Sequence, residues 1–413
     1  MTSADAASGV VRSSLPEVPE IDRLIFQTPD CFRLPREQIS QLRPRLVRQA
    51  ARFHRDRCPE YGSFLRQLGF DPDGIVDERD LDQVPQFPAS VYKRRPVASV
   101  PQAAVVQTFH SSGTSGRVSS VPRDEATLQR LLGSIRAGLE MLEPLTGEGD
   151  PEDNVVLLNL GPPRSAAGSV WFSYVMTLVE ILAPTHHYGT ATTVRYAEAA
   201  DDLSSILATG RRAGVIGSPL AVRRLAEYCL ANNRTVAGGD AVFVMTGGGW
   251  KQPTGEELSR AELDTLLMKA FGVHDPSQLR DAFNQVELNS VLLECEHRRK
   301  HVPPWLYAVT RDPRDLTSLP YGTAGLLSFV DPTAGSFPCF VLSDDIGVVH
   351  DATCPCGRTT ETVEISRRVR RSQELGCALQ TERLQTERLR AQLLQADPGP
   401  RGNGADLGPR RSG

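Results

Sequence analysis

Lysine is almost missing from this chain. Of 46 basic residues only four are lysines, Lys93, Lys251, Lys269 and Lys300. That scarcity limits where amine chemistry can occur and leaves arginine as the usual source of positive charge. Charge of one sign is also lacking: the formal net charge is −4 over 413 residues, with no basic half. A nucleic-acid partner is therefore not expected. Long apolar runs are absent too. The longest, within Val170–Pro184, is interrupted by Ser173, Thr177 and Glu180 and is too short to cross a bilayer. Residues 1–19 lack a basic segment followed by an apolar one, so a secretory leader is not expected and the cytoplasm is the expected compartment. The 8 cysteines then read as thiols or metal ligands rather than as a disulfide frame. Neither a GxxxxGK[ST] loop nor a GxGxxG turn occurs at the most promising phosphate-binding stretch.

That stretch is Phe109-His110-Ser111-Ser112-Gly113-Thr114-Ser115-Gly116, which follows apolar Val105-Val106 and precedes a helical pattern from Asp124 to Leu142. Six small or hydroxylated residues in a row make a poor core. They leave backbone N–H groups open and supply hydroxyl donors, as a loop around a polyphosphate needs. The competing reading is a plain turn.

Hydrophobic residues make up 40% and charged residues 23%, the balance of a globular chain with a sizeable core. Residues 1–20 read as disordered. A helical pattern runs from Arg36 to Gly69, and proline-punctuated connectors lead to the serine–glycine loop. Strands and helices then alternate. Val155–Leu160, Val215–Gly217 and Ala241–Thr246 read as strands of the buried type. Ser169–Leu182 reads as an apolar helix. Another begins at Ser218-Pro219, and a third at Ser259 with Glu262 completing a capping box. The alternation predicts an α/β fold with a largely parallel sheet covered by helices. After Val286 the segments Trp305–Thr310, Ala324–Val330, Pro338–Leu342 and Ile346–His350 predict a β-rich part spanning about 288–365. Residues 366–396 read as a polar helix and 397–413 as a disordered tail.

Three further stretches carry chemistry. Gly247-Gly248-Gly249, before Trp250 and Lys251, allows close backbone approach to a flat ligand such as a nucleobase. In Phe283-Asn284-Gln285-Val286-Glu287, the acid Glu287 can hold a divalent cation against phosphate oxygens. Asp344 and Asp345, after a strand, can hydrogen-bond ribose hydroxyls, or can simply be an acidic turn. Each stretch alone also reads as an ordinary surface loop. Cys295, His301, Cys354 and Cys356 offer the three thiols and one imidazole of a tetrahedral zinc site, with His297 as the rival for His301. Cys31, Cys58, Cys229 and Cys339 read as packing residues, and His186-His187 as a loop-shaping pair.

Taken in order, the four ligand stretches resemble the adenylate-forming superfamily, and within it the phenylacetate–CoA ligase-like branch. They are most similar to the acyl-protein synthetase family of bacterial bioluminescence (LuxE-type). The resemblance rests on Ser111–Gly116, Thr246–Lys251, Phe283–Asn289, the run from Glu294 to Trp305, and Cys354–Arg358, and it covers roughly residues 20–380. It implies one catalytic domain over 21–365 in which Ser111–Gly116 hold the phosphates of ATP and Gly247–Gly249 line adenine. Phe283 would stack on the base, Glu287 would bind Mg2+ and Asp345 would hold the ribose. It also implies activation of a carboxylic acid, of fatty type, to an acyl-AMP, then transfer to a thiol. Cys377, the cysteine near the C-terminus, would accept the acyl group and pass it to a partner such as an acyl reductase. A zinc-holding set like the Cys295/His301 group occurs in some relatives of that branch. Two features depart from the pattern. The usual Tyr-Gly-x-Thr-Glu is Phe-Asn-Gln-Val-Glu here, and the large C-terminal lid with its lysine is missing, which leaves Lys251 to face the leaving phosphates. Trp171, Phe172 and Trp305 are the expected walls of the acid pocket. The alternatives are transfer to coenzyme A or a carrier protein, and a catalytically impaired, zinc-stabilised nucleotide-binding protein.

Overall fold

The computed structural model describes residues 18–112, 118–190, 192–249 and 257–368. Phe87–Pro88 forms a short strand, β1. Gln107–His110 (β2) and Ser120–Arg123 (β3) pair only with each other, as an antiparallel ribbon. The serine–glycine stretch lies between these two strands in the sequence. Six strands then build the first large sheet: β4 (Val155–Asn159), β5 (Thr185–His187), β6 (Arg212–Gly217), β7 (Val242–Gly247), β8 (Leu279–Phe283) and β9 (Leu292–Leu293). Their order is β5-β4-β6-β7-β8-β9, parallel throughout except where β9 turns back along β8. The second sheet is antiparallel, with β10 (Lys300–His301), β11 (Tyr307–Arg311), β12 (Gly325–Val330), β13 (Phe340–His350) and β14 (Thr362–Arg368) in the order β10-β14-β13-β12-β11. The short β1 adds to β13 in parallel.

Local sequence accounts for most of these elements. Every residue of β4 and β7 is buried, as in strands covered on both faces. Gly214 lies between them in β6, where a Cβ would come within 2.4 Å of the Phe243 ring and 2.6 Å of Leu157, so only glycine lets those side chains close. The helix Pro219–Ala231 starts as its sequence requires, with Ser218 accepting the N–H of Ala221 and proline in the first turn. Ser259 and Glu262 form the reciprocal capping box of Arg260–Phe271. These two helices and Tyr196–Ala208 bury their apolar sides on one face of the parallel sheet through Leu203, Leu225, Leu267 and Phe271. A second, larger core joins the N-terminal helices Arg36–Arg57 and Pro59–Leu68 to the antiparallel sheet through Leu46, Tyr61, Trp305, Phe329 and Phe340. No helix among the described residues is long and apolar enough to cross a membrane.

The structure corrects three expectations. Pro338–Leu342 and Ile346–His350 are not two strands but parts of one, Phe340–His350. Asp344 and Asp345 therefore lie inside a strand rather than after one, where register shifts against both neighbours replace the acidic turn of the competing reading. His186 and His187 lie in edge strand β5 rather than in a loop. The apolar helix begins at Trp171 and relaxes into a 3-10 turn at Leu178–Ile181.

Candidate active site and metal centre

The carboxyl ends of parallel strands are where α/β sheets bind ligands, because the strands stop there and loops take over. Here β7 ends in Gly247, beside Ala282 of β8, so the glycine turn and Phe283 are neighbours. Gly248 and Gly249 have φ of +76° and +61°, the left-handed region that glycine adopts without strain. A Cβ on Gly248 would come within 2.4 Å of the Phe172 ring, so the backbone lies flat against that aromatic. Thr246, at the root of the turn, donates to Asp281 Oδ1 at 2.6 Å.

Phe283 leads into the turn that carries Glu287, and polar contacts hold this turn on several sides. Asn284, in the place of the usual glycine, accepts the indole N–H of Trp171 and donates to the carbonyls of Leu288 (3.2 Å) and Ser290 (2.8 Å). The residue that departs from the family pattern is thus the brace of the turn. Glu287 is buried, and its carbonyl accepts from the Cys339 thiol at 3.1 Å. Burial pushes that thiol well above its ordinary range, which keeps it a neutral donor. Arg123 closes the other side, donating to the Val286 carbonyl at 2.8 Å and to Asn289 Oδ1 at 3.3 Å.

The irregular part of β13 faces the same turn. Ser343 Oγ lies 3.0 Å from Gln285 Oε1 and 2.9 Å from Asp345 Oδ2, and it accepts the Asp345 N–H at 3.1 Å. Asp344 takes the other direction and pairs with Lys93 at 2.9 Å. The serine–glycine ribbon joins the group from the far side. Ser111 closes its mouth, with its N–H on the Ser119 carbonyl at 3.1 Å and its Oγ accepting the Ser119 N–H at 3.0 Å, while Ser112 is exposed. Phe109 of β2 packs against Trp171 with ring centroids 5.0 Å apart, and Trp171 reaches Asn284. These contacts link the segments that carry Ser111, Gly247, Gly248, Phe283, Glu287 and Asp345. Gly113, Thr114, Ser115, Gly116, Lys251 and Cys377 lie outside the described residues. Trp305, expected to line the acid pocket, is wholly buried in the core, where its N–H meets Ser290 Oγ at 2.9 Å.

Cys295, His301, Cys354 and Cys356 form the second centre. All four are buried, and one ligand atom from each lies within 4.8 Å of the others. The Cys295 and Cys354 sulfurs are 3.7 Å apart, and Cys356 Sγ is 3.3 Å from His301 Nε2. In a tetrahedral site with Zn–S bonds of about 2.3 Å, two sulfurs stand about 3.7 Å apart, so the donor set fits a zinc ion. His301 Nδ1 lies 3.1 Å from Thr360 Oγ1, which leaves Nε2 for the cluster. Burial, with Arg358 nearby, pushes His301 down to about 4, so it is a neutral donor. Burial raises Cys354 to about 12, while Arg358 draws Cys356 downward against its burial. A buried ion network leaves this centre toward the glycine turn. Glu294 beside Cys295 pairs with Lys300 beside His301 at 2.8 Å, Lys300 reaches Asp281 at 2.9 Å, and Asp281 holds Thr246.

Sequence reasoning missed Arg123, and it took in Asn284, Gln285 and Ser343 only as parts of their stretches, with no role of their own. The one available signal was a charged Arg123 after Val121-Pro122, directly before the helix cap Asp124.

The α/β sheet, the glycine turn at its carboxyl edge and the bulged acidic strand define the fold of the adenylate-forming ligases. The chain superposes on 2-hydroxyisobutyryl-CoA ligase, in complex with 2-HIB-AMP and CoA, with a TM-score of 0.65 over 82% of this chain and 70% of that one, at 17% identity. An open conformation of the same ligase gives 0.64. The family model described as "Acyl-protein synthetase, LuxE" matches residues 7–385, and the chain belongs to that family. It is 38% identical over 377 residues to a long-chain-fatty-acid–luciferin-component ligase of Vibrio harveyi, covering 91% of this chain and 96% of the relative. The protein of that name from Aliivibrio fischeri is likewise 38% identical, covering 87% and 93%.

Proposed function

We propose that the chain activates a long-chain fatty acid with ATP and passes the acyl group to a protein thiol. A carboxylate oxygen attacks the α-phosphorus. The C(O)O–P bond forms, the bond to the β-phosphate oxygen breaks, and pyrophosphate leaves with the electron pair. The protein forms no bond to phosphorus, so its contribution is positioning and charge neutralisation. Ser111 to Gly116 and the ribbon under them hold the phosphates, Gly247 to Gly249 and Phe283 take the base, and Asp345, oriented by Ser343, takes the ribose. Glu287 holds Mg2+, which neutralises charge on the phosphate oxygens. Lys251 is the nearest lysine in sequence to the base site and supplies positive charge to the leaving group. The Cys377 thiolate then attacks the acyl carbonyl, AMP leaves, and a thioester keeps the acyl group activated for an acceptor such as an acyl reductase. Cys295, His301, Cys354 and Cys356 hold a structural zinc that ties the loop before β14 to the region around β10.

The observation that carries this reading is the meeting of three separate segments, at Gly247, Glu287 and Asp345, around the carboxyl edge of one sheet. ATP–pyrophosphate exchange against fatty, aryl and amino acids tests it. Exchange with long-chain fatty acids and a hydroxylamine-labile acyl label on the protein support it. Exchange in which the acyl group moves only to added coenzyme A or a carrier protein replaces the acceptor, and ATP binding with no exchange for any acid removes the reaction.

A further inference from the structure

Arg123 is the last residue of β3, the strand returning from the serine–glycine loop, and its side chain is fully buried. Its donors converge on one short turn. Nη2 meets the carbonyls of Val286 (2.8 Å) and Leu288 (3.4 Å), the residues on either side of Glu287, and Nε meets Asn289 Oδ1 (3.3 Å). The guanidinium lies 3.6 Å from the centre of the Trp171 ring, and Trp171 holds the same turn through Asn284. Nη1 has no hydrogen-bond partner among the described residues.

Taking a cation out of water is costly, and neutral acceptors offset the cost only in part. Burial lowers Arg123 to about 9, and the attraction of Cys339 and Glu287 works against that fall. An apolar side chain of similar length would fill the space at a smaller cost. What it would lack is the Nη2 donor that meets both carbonyls flanking Glu287, and a positive charge that attracts that carboxylate. The same residue is fixed in the ribbon by backbone pairing with Gln107, while the Val106 N–H donates to its carbonyl at 2.9 Å. One side chain thus joins the strand under the phosphate loop to the turn bearing the acid.

We propose that Arg123 is a positioning residue for the magnesium nucleotide. It locks the Glu287 turn to the phosphate ribbon, so that carboxylate and phosphates keep a fixed separation. The inference rests on the reading of Glu287 as the Mg2+-holding acid.

The test compares Arg123→Lys, Arg123→Met and Trp171→Phe with the wild-type full chain. Thermal melting reports folding, exchange is titrated with Mg2+, and Mn2+ binding in the presence of ATP is followed by electron paramagnetic resonance. Both Arg123 variants are expected to raise the Mg2+ concentration for half-maximal exchange, and to weaken Mn2+ binding, by about 10–100-fold, the usual effect of removing a group that orients a metal ligand. The KM for the acid stays at the wild-type value. Trp171→Phe, which loses the N–H that holds Asn284 and shrinks the ring that faces Arg123, shifts the Mg2+ midpoint in the same direction by less. A folded Arg123→Met protein with wild-type Mg2+ dependence overturns the proposal, as does a uniform fall in kcat with an unmoved Mg2+ midpoint. If neither Arg123 variant folds, an unmoved midpoint in Trp171→Phe overturns it. Wild-type protein that binds Mn2+ and ATP without exchange overturns the proposed reaction instead, and the ranking of Mn2+ binding still decides the role of Arg123.

Discussion

Arg43 and Glu361, 318 residues apart, meet as a buried fork. Arg43 Nη1 donates to Oε1 at 2.8 Å and Nη2 to Oε2 at 2.7 Å. Arg43 Nε also donates to the Pro304 carbonyl at 3.0 Å, and Arg36 approaches the same carboxylate at 2.6 Å. The pair ties the long N-terminal helix Arg36–Arg57 to the start of β14.

Burial alone would raise the Glu361 pKa. The attraction and hydrogen bonds of Arg43, with Arg36 behind them, outweigh burial and bring it from an ordinary 4.5 to about 2. A depressed carboxylate stabilises the fold above its unfolded value, and that contribution fades as pH falls from about 4.5 toward about 2. The thermal midpoint of the wild-type protein should therefore drop steeply over that interval. Glu361→Gln should flatten the drop and lower stability at neutral pH by up to about 3–5 kcal/mol, because it leaves Arg43 buried with Glu78, at 3.1 Å, as its remaining carboxylate. Superimposable acid profiles would show that the pair does not control acid stability.

Metal analysis of the purified chain should find one equivalent of zinc. Cys354→Ser should lose it and melt at lower temperature. Thr360→Val, which keeps all four ligands but removes the contact to His301 Nδ1, should weaken zinc binding about 10–100-fold in competition with a chelator. Full zinc affinity in Thr360→Val would mean that packing alone sets the imidazole's orientation.

Glu287→Gln keeps the shape of its side chain and removes the charge. If the acid holds Mg2+, several kcal/mol of charge stabilisation disappears, so exchange should fall by roughly 100-fold or more. Nucleotide binding without metal should change little by comparison. The measurement is the exchange rate at saturating Mg2+, and a rate near wild type would move the metal to another acid.

Cys377→Ala should separate the two half-reactions. Exchange should continue at the wild-type rate, while the hydroxylamine-labile acyl label on the protein disappears. A label that persists would place the thioester on another cysteine.

Much of the fold was legible because local rules coincide with tertiary ones. Buried strands such as Val155–Asn159 are apolar throughout, and Ser218-Pro219 and Ser259 with Glu262 announce helix starts that packing does not overrule. The site was legible as four stretches in a familiar order. What escaped was set by contacts across long separations. Asp344 and Asp345 read as a turn because acids suit turns, yet neighbours on both sides carry the strand through them with a bulge. Asn284 read as a weakened motif because its partner Trp171 lies 113 residues away. Arg123 gave no period or spacing to read, since only the folded chain brings the carbonyls flanking Glu287 to its guanidinium. The core thiols at Cys31, Cys58, Cys229 and Cys339, which the sequence assigns to packing, are all buried.

The ribbon of β2 and β3 joins neither large sheet. Two strands alone are marginal in water, so its shape depends on what it touches. Its anchors, Val286, Leu288 and Asn289, lie more than 160 residues further along the chain. During synthesis the ribosome therefore delivers the phosphate ribbon well before the turn that secures it. A nascent chain stopped short of Val286 contains the whole serine–glycine loop and the Trp171 ring against Arg123, but none of the acceptors that the guanidinium meets. Competence to hold a nucleotide should consequently arise late, in one step, rather than growing with chain length.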